Sequence, residues 1–316
     1  MKVFESLSKV TINKNSVVTL GTFDGVHLGH RKIIEMMKNK AEQLNSRDFL
    51  ITFYPHPRKV VPNNSYNVKL LTTQREKIGL LKSLDIQNIL IINFTKEFSQ
   101  LSYNEFLENY IINGTGLKNI VIGYDHHFGK GRNGNADKLR ELSSMYGFNV
   151  TTVDAVSING IAVSSTKIRN ALLNGNINEA NSYLGRFYSF GGTVIKGDGR
   201  GRLLGFPTAN LKLEDDDKLL PAIGIYAVEC FIEGKKFLGV MSIGKRPTFY
   251  DSGKITTEIY IIDFEKDIYG DFITVNVIDK IRGEEKFSST GELIKQMKKD
   301  TEIGIKILTK QKKLTY

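Results

Sequence analysis

The hydrophobic pattern of this chain changes period once, near residue 185, and that change constrains the fold more than any other feature. Upstream, short apolar runs alternate with segments whose apolar residues recur at helical spacing. The runs are Val17–Leu20, Phe49–Tyr54, Asn88–Phe94, Asn119–Tyr124 and Phe148–Val153; the helical segments are Arg31–Leu44, Gln74–Leu84, Phe98–Ile112 and Asn135–Tyr146. Such alternation predicts a parallel sheet with helices on both faces and ligands at the carboxyl ends of its strands. Downstream, six short strands follow one another at Gly192–Lys196, Thr208–Leu213, Tyr226–Ile232, Phe237–Ile243, Thr257–Asp263 and Ile273–Asp279. Glu233-Gly234 between two of them is a hairpin signal. This texture predicts a six-stranded antiparallel barrel, closed to remove exposed edges, with one terminal helix from about Thr290 to Leu308. The expected class is α/β, divided as 1–185 and 186–316.

A chain of 316 residues is long enough for two such cores. No run approaches the roughly 20 apolar residues of a membrane span. The opening "MKVFESLSKV" lacks the apolar segment and cleavage site of a secretory leader. Cys230 is the only cysteine, which excludes intramolecular disulfides and thiolate metal clusters. The expected compartment is the cytoplasm, with no membrane partner. The net charge of +10 is largely scattered along helices and in the tail "KQKKLTY", without an arginine-rich block or an aromatic-laced basic stripe. Polyanionic small molecules are therefore expected as partners rather than nucleic acid, and a monomer or weak homo-oligomer as the assembly. The acidic cluster "EDDD" at 214–217 reads as a solvated loop.

The stretch "VVTLGTFDGVHLGHRKII" (Val17–Ile34) places a glycine-flanked turn between the first strand and the first helix. His27 and His30 fall at that helix's N-terminus, where free N–H groups and the helix dipole favour an anion. Two of the chain's five histidines in one turn read either as surface histidines or as donors to a phosphate. A dinucleotide fingerprint is excluded, because G-x-G-x-x-G is absent. "VSSTKIRNALLNGN" (Val163–Asn176) reads either as a simple helix cap or as a second phosphate corner. Lys167 and Arg169 in its first turn oppose the dipole unless an anion is bound. In "DHH" (Asp125–His127), neighbours on an extended strand point to opposite faces and do not chelate one ion together.

"IKGDGRGRLLGFPTANLKL" (Ile195–Leu213) puts four glycines near Arg200 and Arg202, a loop whose backbone can approach phosphates closely. No G-x-x-x-x-G-K-[ST] occurs, so a kinase here lacks a P-loop. Thr208 and Asn210 alternate on one face of a strand, where their oxygens can share one Mg²⁺.

These segments carry a resemblance. "GTFDGVHLGH" resembles the His-x-Gly-His signature of the nucleotidylyltransferase superfamily, and "SSTKIR" resembles its second phosphate motif. "TFYPHP" (Thr52–Pro57) and "IGYDHHFGKGRNGN" (Ile122–Asn135) resemble the flavin adenylyltransferase module of bacterial FAD synthetases. His126 stands there in place of the usual phenylalanine, with Asp125 as the matching polar residue. "GFPTAN", "SIGKRPTFYDSGKITTEIYIIDFEKDIYG" and "IRGEEKFSS" (Ile281–Ser289) resemble riboflavin kinase, with Ser242 replacing the usual asparagine. The chain resembles the bifunctional riboflavin kinase/FMN adenylyltransferase family from about 15 to 308.

The resemblance implies a Rossmann-like N-terminal domain, ATP as co-substrate, Mg²⁺, and FMN and FAD as products. It implies that His27 and His30 stabilise phosphate charge during adenylyl transfer. Gly21, Thr22, Phe23, Asp24, Gly29, Ser165, Thr166 and Arg169 would bind ATP phosphates there. In the kinase half it implies Glu258 as general base, Thr208 and Asn210 as metal ligands, and Lys196, Gly199, Gly201, Gly205, Phe206 and Pro207 around ATP. Asp125, Arg282, Glu285 and Phe287 are the implied flavin contacts. The alternatives are another nucleotidylyltransferase, which leaves "GFPTAN" unexplained, and a flavin- or RNA-binding regulator of the same fold.

Overall fold

The computed structural model describes residues 1–12, 15–61, 68–245 and 255–310. They form two compact units, Met1–Val163 and Ser164–Tyr316.

In the first unit, strands β1 (Lys2–Phe4), β2 (Ser16–Leu20), β3 (Arg47–Tyr54), β4 (Asn88–Asn93), β5 (Leu117–Gly123) and β6 (Asn149–Val153) form one parallel sheet in the order β1-β4-β3-β2-β5-β6. Every residue of β2 is buried, as a central parallel strand covered on both faces requires. Successive residues feed opposite cores. Val18, Leu20, Phe49 and Ile51 pack on one side with Phe106, Ile111 and Leu139. Val17 and Leu50 pack on the other with Ile34, Met37 and Ala41 of helix α1 (Leu28–Gln43). The chain runs from β2 to β3 on one side and returns to β5 on the other, so the strand order reverses beside β2. Open parallel sheets bind ligands outside such a reversal, and the histidine turn follows β2 directly.

Short helix α2 spans Pro57–Val60 and α3 spans Gln74–Lys82. The helix expected over Phe98–Ile112 is broken. A 3-10 turn at Phe98–Gln100 ends at Leu101. Ser102 and Glu105 then form a capping box that starts α4 (Tyr103–Phe106), which runs on as a π-helix over Leu107–Gly116. Helix α5 (Ala136–Tyr146) precedes β6, and a small hairpin of β7 (Ser157–Ile158) and β8 (Ile161–Ala162) follows it. Edge strand β1, only three residues long, carries no readable alternation in the sequence.

The second unit begins with helices α6 (Ser165–Leu173) and α7 (Ile177–Leu184). A closed antiparallel barrel follows, built of β9 (Tyr188–Ile195), β10 (Thr208–Leu213), β11 (Gly224–Ile232), β12 (Lys235–Lys245), β13 (Ile255–Ile261) and β14 (Phe272–Arg282) in the order β10-β13-β12-β11-β14-β9. One helical turn, α8 (Arg200–Leu203), interrupts the glycine-rich loop. Terminal helix α9 (Thr290–Thr309) sets Leu308 against Ala227 and Ile278.

This compact unit starts ahead of the 185/186 change of texture because α6 and α7 dock on the barrel. Buried Asn181 donates from Nδ2 to the carbonyls of Val277 (3.1 Å) and Ile278 (3.3 Å) and accepts the Tyr188 N–H at 2.7 Å. The Leu172 carbonyl accepts the Ala222 N–H at 2.9 Å.

Candidate active sites

In the first unit, His27 is the N-cap of α1. Its Nδ1 accepts the His30 N–H at 3.3 Å, so a neutral His27 ring carries its proton on Nε2. The ring folds back over the helix and stacks on His30, with centroids 3.6 Å apart and planes 17° from parallel. Gly29 permits this arrangement. A Cβ there would lie 3.2 Å from Cε1 and Nδ1 of His27, so a side chain would crowd the ring and require it to shift by a few tenths of an ångström. Phe23 closes the other side, edge-on to His30 at 5.2 Å.

His30 Nδ1 is out of solvent and has no hydrogen-bond partner among the described residues. Burial, reinforced by the Lys77 charge, lowers the His30 pKa to about 3. His30 is therefore neutral at neutral pH, and it lies stacked on His27.

The residues leading into this turn have different duties. Gly21 donates its N–H to the Ile51 carbonyl, and the Thr22 carbonyl accepts from Thr52 Oγ1 and Lys77 Nζ. Buried Asp24 accepts, on its carboxylate, the N–H groups of Leu71 and Thr72 and the Thr72 hydroxyl. A carboxylate so engaged anchors the Leu71–Thr72 segment. A small open cleft lies between Thr22, Phe53, Tyr54, His56, Gln74 and Lys77. Asp125 is exposed just past the carboxyl end of β5, while the His126 ring stacks on Phe128 at 5.9 Å. His126 thus keeps an aromatic plane where the expected phenylalanine is missing.

In the second unit, Ser164 caps α6 by accepting the Lys167 N–H. The cap places Ser165 and Thr166 in the first turn, with Arg169 one turn on. In the barrel, Asn210 stands directly opposite Glu258 across the β10–β13 pair, and Thr208 stands opposite Tyr260. The Thr208 hydroxyl donates to Glu258 Oε2 at 3.2 Å. Two neutral polar side chains and a carboxylate therefore share one patch of the barrel wall, and Ser242 faces Glu258 from β12.

The glycine-rich loop runs beside this patch. An ideal Cβ on Gly197 would sit 2.2 Å from Asn210 Nδ2, so only glycine lets the backbone pass. Gly201 and Phe206 close the turn through a 2.8 Å backbone bond, and Phe206 packs edge-on to Tyr260. Lys196, Gly199, Gly205 and Pro207 are exposed along the loop. No described group of three or more His, Cys, Asp or Glu side chains forms a metal site. Thr208 and Asn210 instead offer the hard neutral oxygens that suit Mg²⁺, which keeps much of its shell for waters and phosphates.

The expected flavin residues of this unit lie together at and just past the end of β14. Arg282 is committed elsewhere: Nε lies 3.0 and 3.1 Å from the two Asp300 oxygens and Nη2 lies 2.8 Å from Oδ2. Its guanidinium also sits 5.7 Å from the Phe287 ring centroid and 3.9 Å from Glu285. The flavokinase-like residues 246–254 lie outside the described residues.

Sequence reading missed Lys77, Asp300, Asn181 and Gly197 as parts of these arrangements. Lys77 did leave a signal: it shares the buried face of α3 with Leu81, one turn apart.

A family model described as FAD synthetase matches residues 9–167, and one described as riboflavin kinase matches 184–308. A protein of Listeria monocytogenes serovar 1/2a, named bifunctional riboflavin kinase/FMN adenylyltransferase, is 39% identical over 286 residues and 90% of each chain. A Bacillus subtilis (strain 168) protein of the same name is 36% identical over 94% of each chain. A crystal structure described as a macrolide-efflux protein from Streptococcus pneumoniae superposes with a TM-score of 0.86 at 32% identity, covering 96% of this chain and 98% of that one. Among the described residues of this chain, no helix is long and apolar enough to cross a membrane. Two adjoining family models and relatives aligned over nine-tenths of its length establish that this chain belongs to the bifunctional riboflavin kinase/FMN adenylyltransferase family.

Proposed function

We propose that the two candidate sites divide the family's two reactions between them. The chain converts riboflavin to FMN and FMN to FAD, with ATP as co-substrate in both steps. Phosphorylation belongs to the barrel within 186–316 and adenylylation to 1–185, in a cytoplasmic monomer or weak homo-oligomer.

The observation that carries the kinase assignment is the 3.2 Å contact between Thr208 and Glu258, with Asn210 opposite. Glu258 takes the proton from the ribityl 5′-hydroxyl as that oxygen bonds to the γ-phosphorus; the bond from the γ-phosphorus to the bridging oxygen breaks and ADP leaves. Thr208 and Asn210 would hold Mg²⁺, which when bound offsets phosphate charge. The glycine-rich loop supplies close backbone approach to the phosphates, and Glu285 and Phe287 meet the flavin.

In the adenylylation step an FMN phosphate oxygen attacks the ATP α-phosphorus, and pyrophosphate leaves with its bonding electrons. No covalent enzyme intermediate is needed. The stacked His27–His30 pair donates hydrogen bonds to the charge that grows on phosphate oxygens, and Ser165, Thr166 and Arg169 clamp the phosphates. Asp125 faces the flavin.

The test is Glu258→Gln in the full chain, assayed separately with riboflavin and with FMN. Loss of the base should slow FMN formation by roughly 10²–10⁴-fold and leave FAD formation from FMN unchanged. Near-normal phosphorylation of riboflavin would remove Glu258 from the mechanism.

A further inference from the structure

Lys77 is a buried lysine outside every motif discussed for the chemistry. It projects from α3 beneath the carboxyl ends of two strands, at the floor of the cleft beside the histidine turn. Its Nζ donates to Thr52 Oγ1 (3.2 Å), the Phe53 carbonyl (3.2 Å) and the Thr22 carbonyl (3.4 Å). An ammonium has three N–H groups, and these three acceptors account for all of them. Lys77 is thus already saturated and does not grip a phosphate directly.

What it grips is the turn. Thr22 is followed by Phe23 and Val26, both non-glycine residues at positive φ, 48° and 40°. Such backbone persists only where its surroundings over-determine it. Lys77 holds the start of that turn from below, Asp24 pins its middle to Leu71 and Thr72, and Phe23 delivers the result to His30. A chain of contacts therefore runs from Lys77 through Thr22 and Phe23 to His30.

We propose that Lys77 is a positioning residue for adenylyl transfer, tying the Thr22 carbonyl to the end of β3 so that the histidine pair is held in its stacked, phosphate-facing arrangement. The proposal rests on the assignment of His27 and His30 to the adenylyl-transfer step. Electrostatics supports the same role. The Lys77 charge helps keep His30 neutral, Asp24 offsets the charge of Lys77 itself, and burial lowers the Lys77 pKa to about 8. The other titratable side chains lining this cleft are Tyr54 and His56.

The experiment uses the full chain with Lys77→Met, which keeps an unbranched apolar stem and loses the donors and charge. The unaltered chain is first shown to convert FMN to FAD, and His30→Ala to impair that conversion. If His30→Ala does not impair it, the histidine assignment fails whatever Lys77 does. In Lys77→Met, kcat for FAD formation should fall on the order of 10- to 100-fold, with KM for ATP changed far less and FMN formation from riboflavin unaltered. The acid limb of the adenylylation pH profile should move upward by roughly half a unit to one unit, because His30 loses a neighbouring positive charge. Lys77→Arg should recover part of both effects.

Thr52→Val removes one acceptor of Lys77 and one donor to Thr22 while preserving shape. It should shift kcat in the same direction by a few-fold, and it decides the matter if Lys77→Met does not fold. An unchanged kcat in a folded Lys77→Met or Thr52→Val chain overturns the proposal. So does a fall in kcat for Lys77→Met with the acid limb unmoved, since that marks general loosening of the unit.

Discussion

The Arg282 guanidinium holds the Asp300 carboxylate side-on, with three N···O distances of 2.8 to 3.1 Å, and so ties the end of β14 to the middle of α9. Gln296 adds a 2.8 Å bond to the same carboxylate, and Glu292 accepts from the N–H and hydroxyl of Ser288 at the helix start. The segment between them carries Glu285 and Phe287, the proposed flavin contacts. Its two ends are thus fixed to a helix that makes none of the proposed contacts itself.

Asp300→Asn should expose that dependence. Breaking a largely buried ion pair strands the remaining charge and costs about 3–5 kcal/mol, so chemical denaturation of the Ser164–Tyr316 unit should shift markedly. In the protein that remains folded, KM for riboflavin should rise more than KM for ATP, and FMN adenylylation should be unaffected. Steady-state kinetics with each substrate varied separately checks this.

Thr208→Val removes a hydroxyl and keeps the shape. It takes away both the donor to Glu258 and one proposed Mg²⁺ ligand. Riboflavin phosphorylation should fall by roughly 10²–10³-fold, the usual loss when a pre-aimed polar group at a charged transition state is deleted. FAD formation from supplied FMN should stay within twofold. A magnesium titration should show a higher half-saturating concentration for the residual kinase activity.

His30 gives the first unit an acid-sensitive element. Its folded-state pKa is about 3 against an ordinary 6.5, so between those values the unfolded chain binds a proton that the folded chain does not. This contribution is fully present above about pH 6.5 and is lost as pH falls toward 3, at up to about 1.4 kcal/mol per pH unit. Urea midpoints measured from pH 7 to pH 4 should fall less steeply in His30→Asn than in the unaltered chain.

The docking of α7 makes fragment boundaries matter. Asn181→Ala would remove the 2.7 Å acceptor of the Tyr188 N–H and the donor to two carbonyls, at a cost of roughly 1–3 kcal/mol for a buried group that loses its hydrogen bond. Deleting α6 and α7 outright should do more. Residues 164–316 should melt at a higher temperature than residues 186–316, and only the longer fragment should phosphorylate riboflavin at close to the full-chain rate. Thermal melts and flavin separation on the two fragments test both halves of this expectation.

Much of this was legible in the residues. Five of the six parallel strands and all six barrel strands were readable because alternation and β-branched runs mark them directly. The turn carrying His27 and His30 was readable because two of only five histidines cluster in it, flanked by glycines. The broken helix after Phe98 was not, since Ser102 and Glu105 form a cap inside a stretch whose apolar period continues through it. Nor was the role of Arg282: a basic residue in a flavokinase-like segment gives no hint that its partner is Asp300, 18 positions on. Lys77, Asn181 and Asp24 share that difficulty. Each acts through backbone carbonyls or N–H groups of distant segments, and a backbone group leaves no mark in a sequence.

The order of the barrel strands has a consequence for biosynthesis. Strand β14 fills the gap between β9 and β11, yet it is the last strand to leave the ribosome. Until Phe272–Arg282 emerges, both neighbours carry an unpaired edge, the condition under which nascent chains associate wrongly. The parallel sheet, whose final strand ends at Val153, has every strand available long before. Translational pausing or truncation just after residue 163 would leave a finished first unit, whereas interruption anywhere between 196 and 272 would leave an open, adhesive half-barrel. The late strands of this chain are therefore where its synthesis is most exposed to chaperone demand.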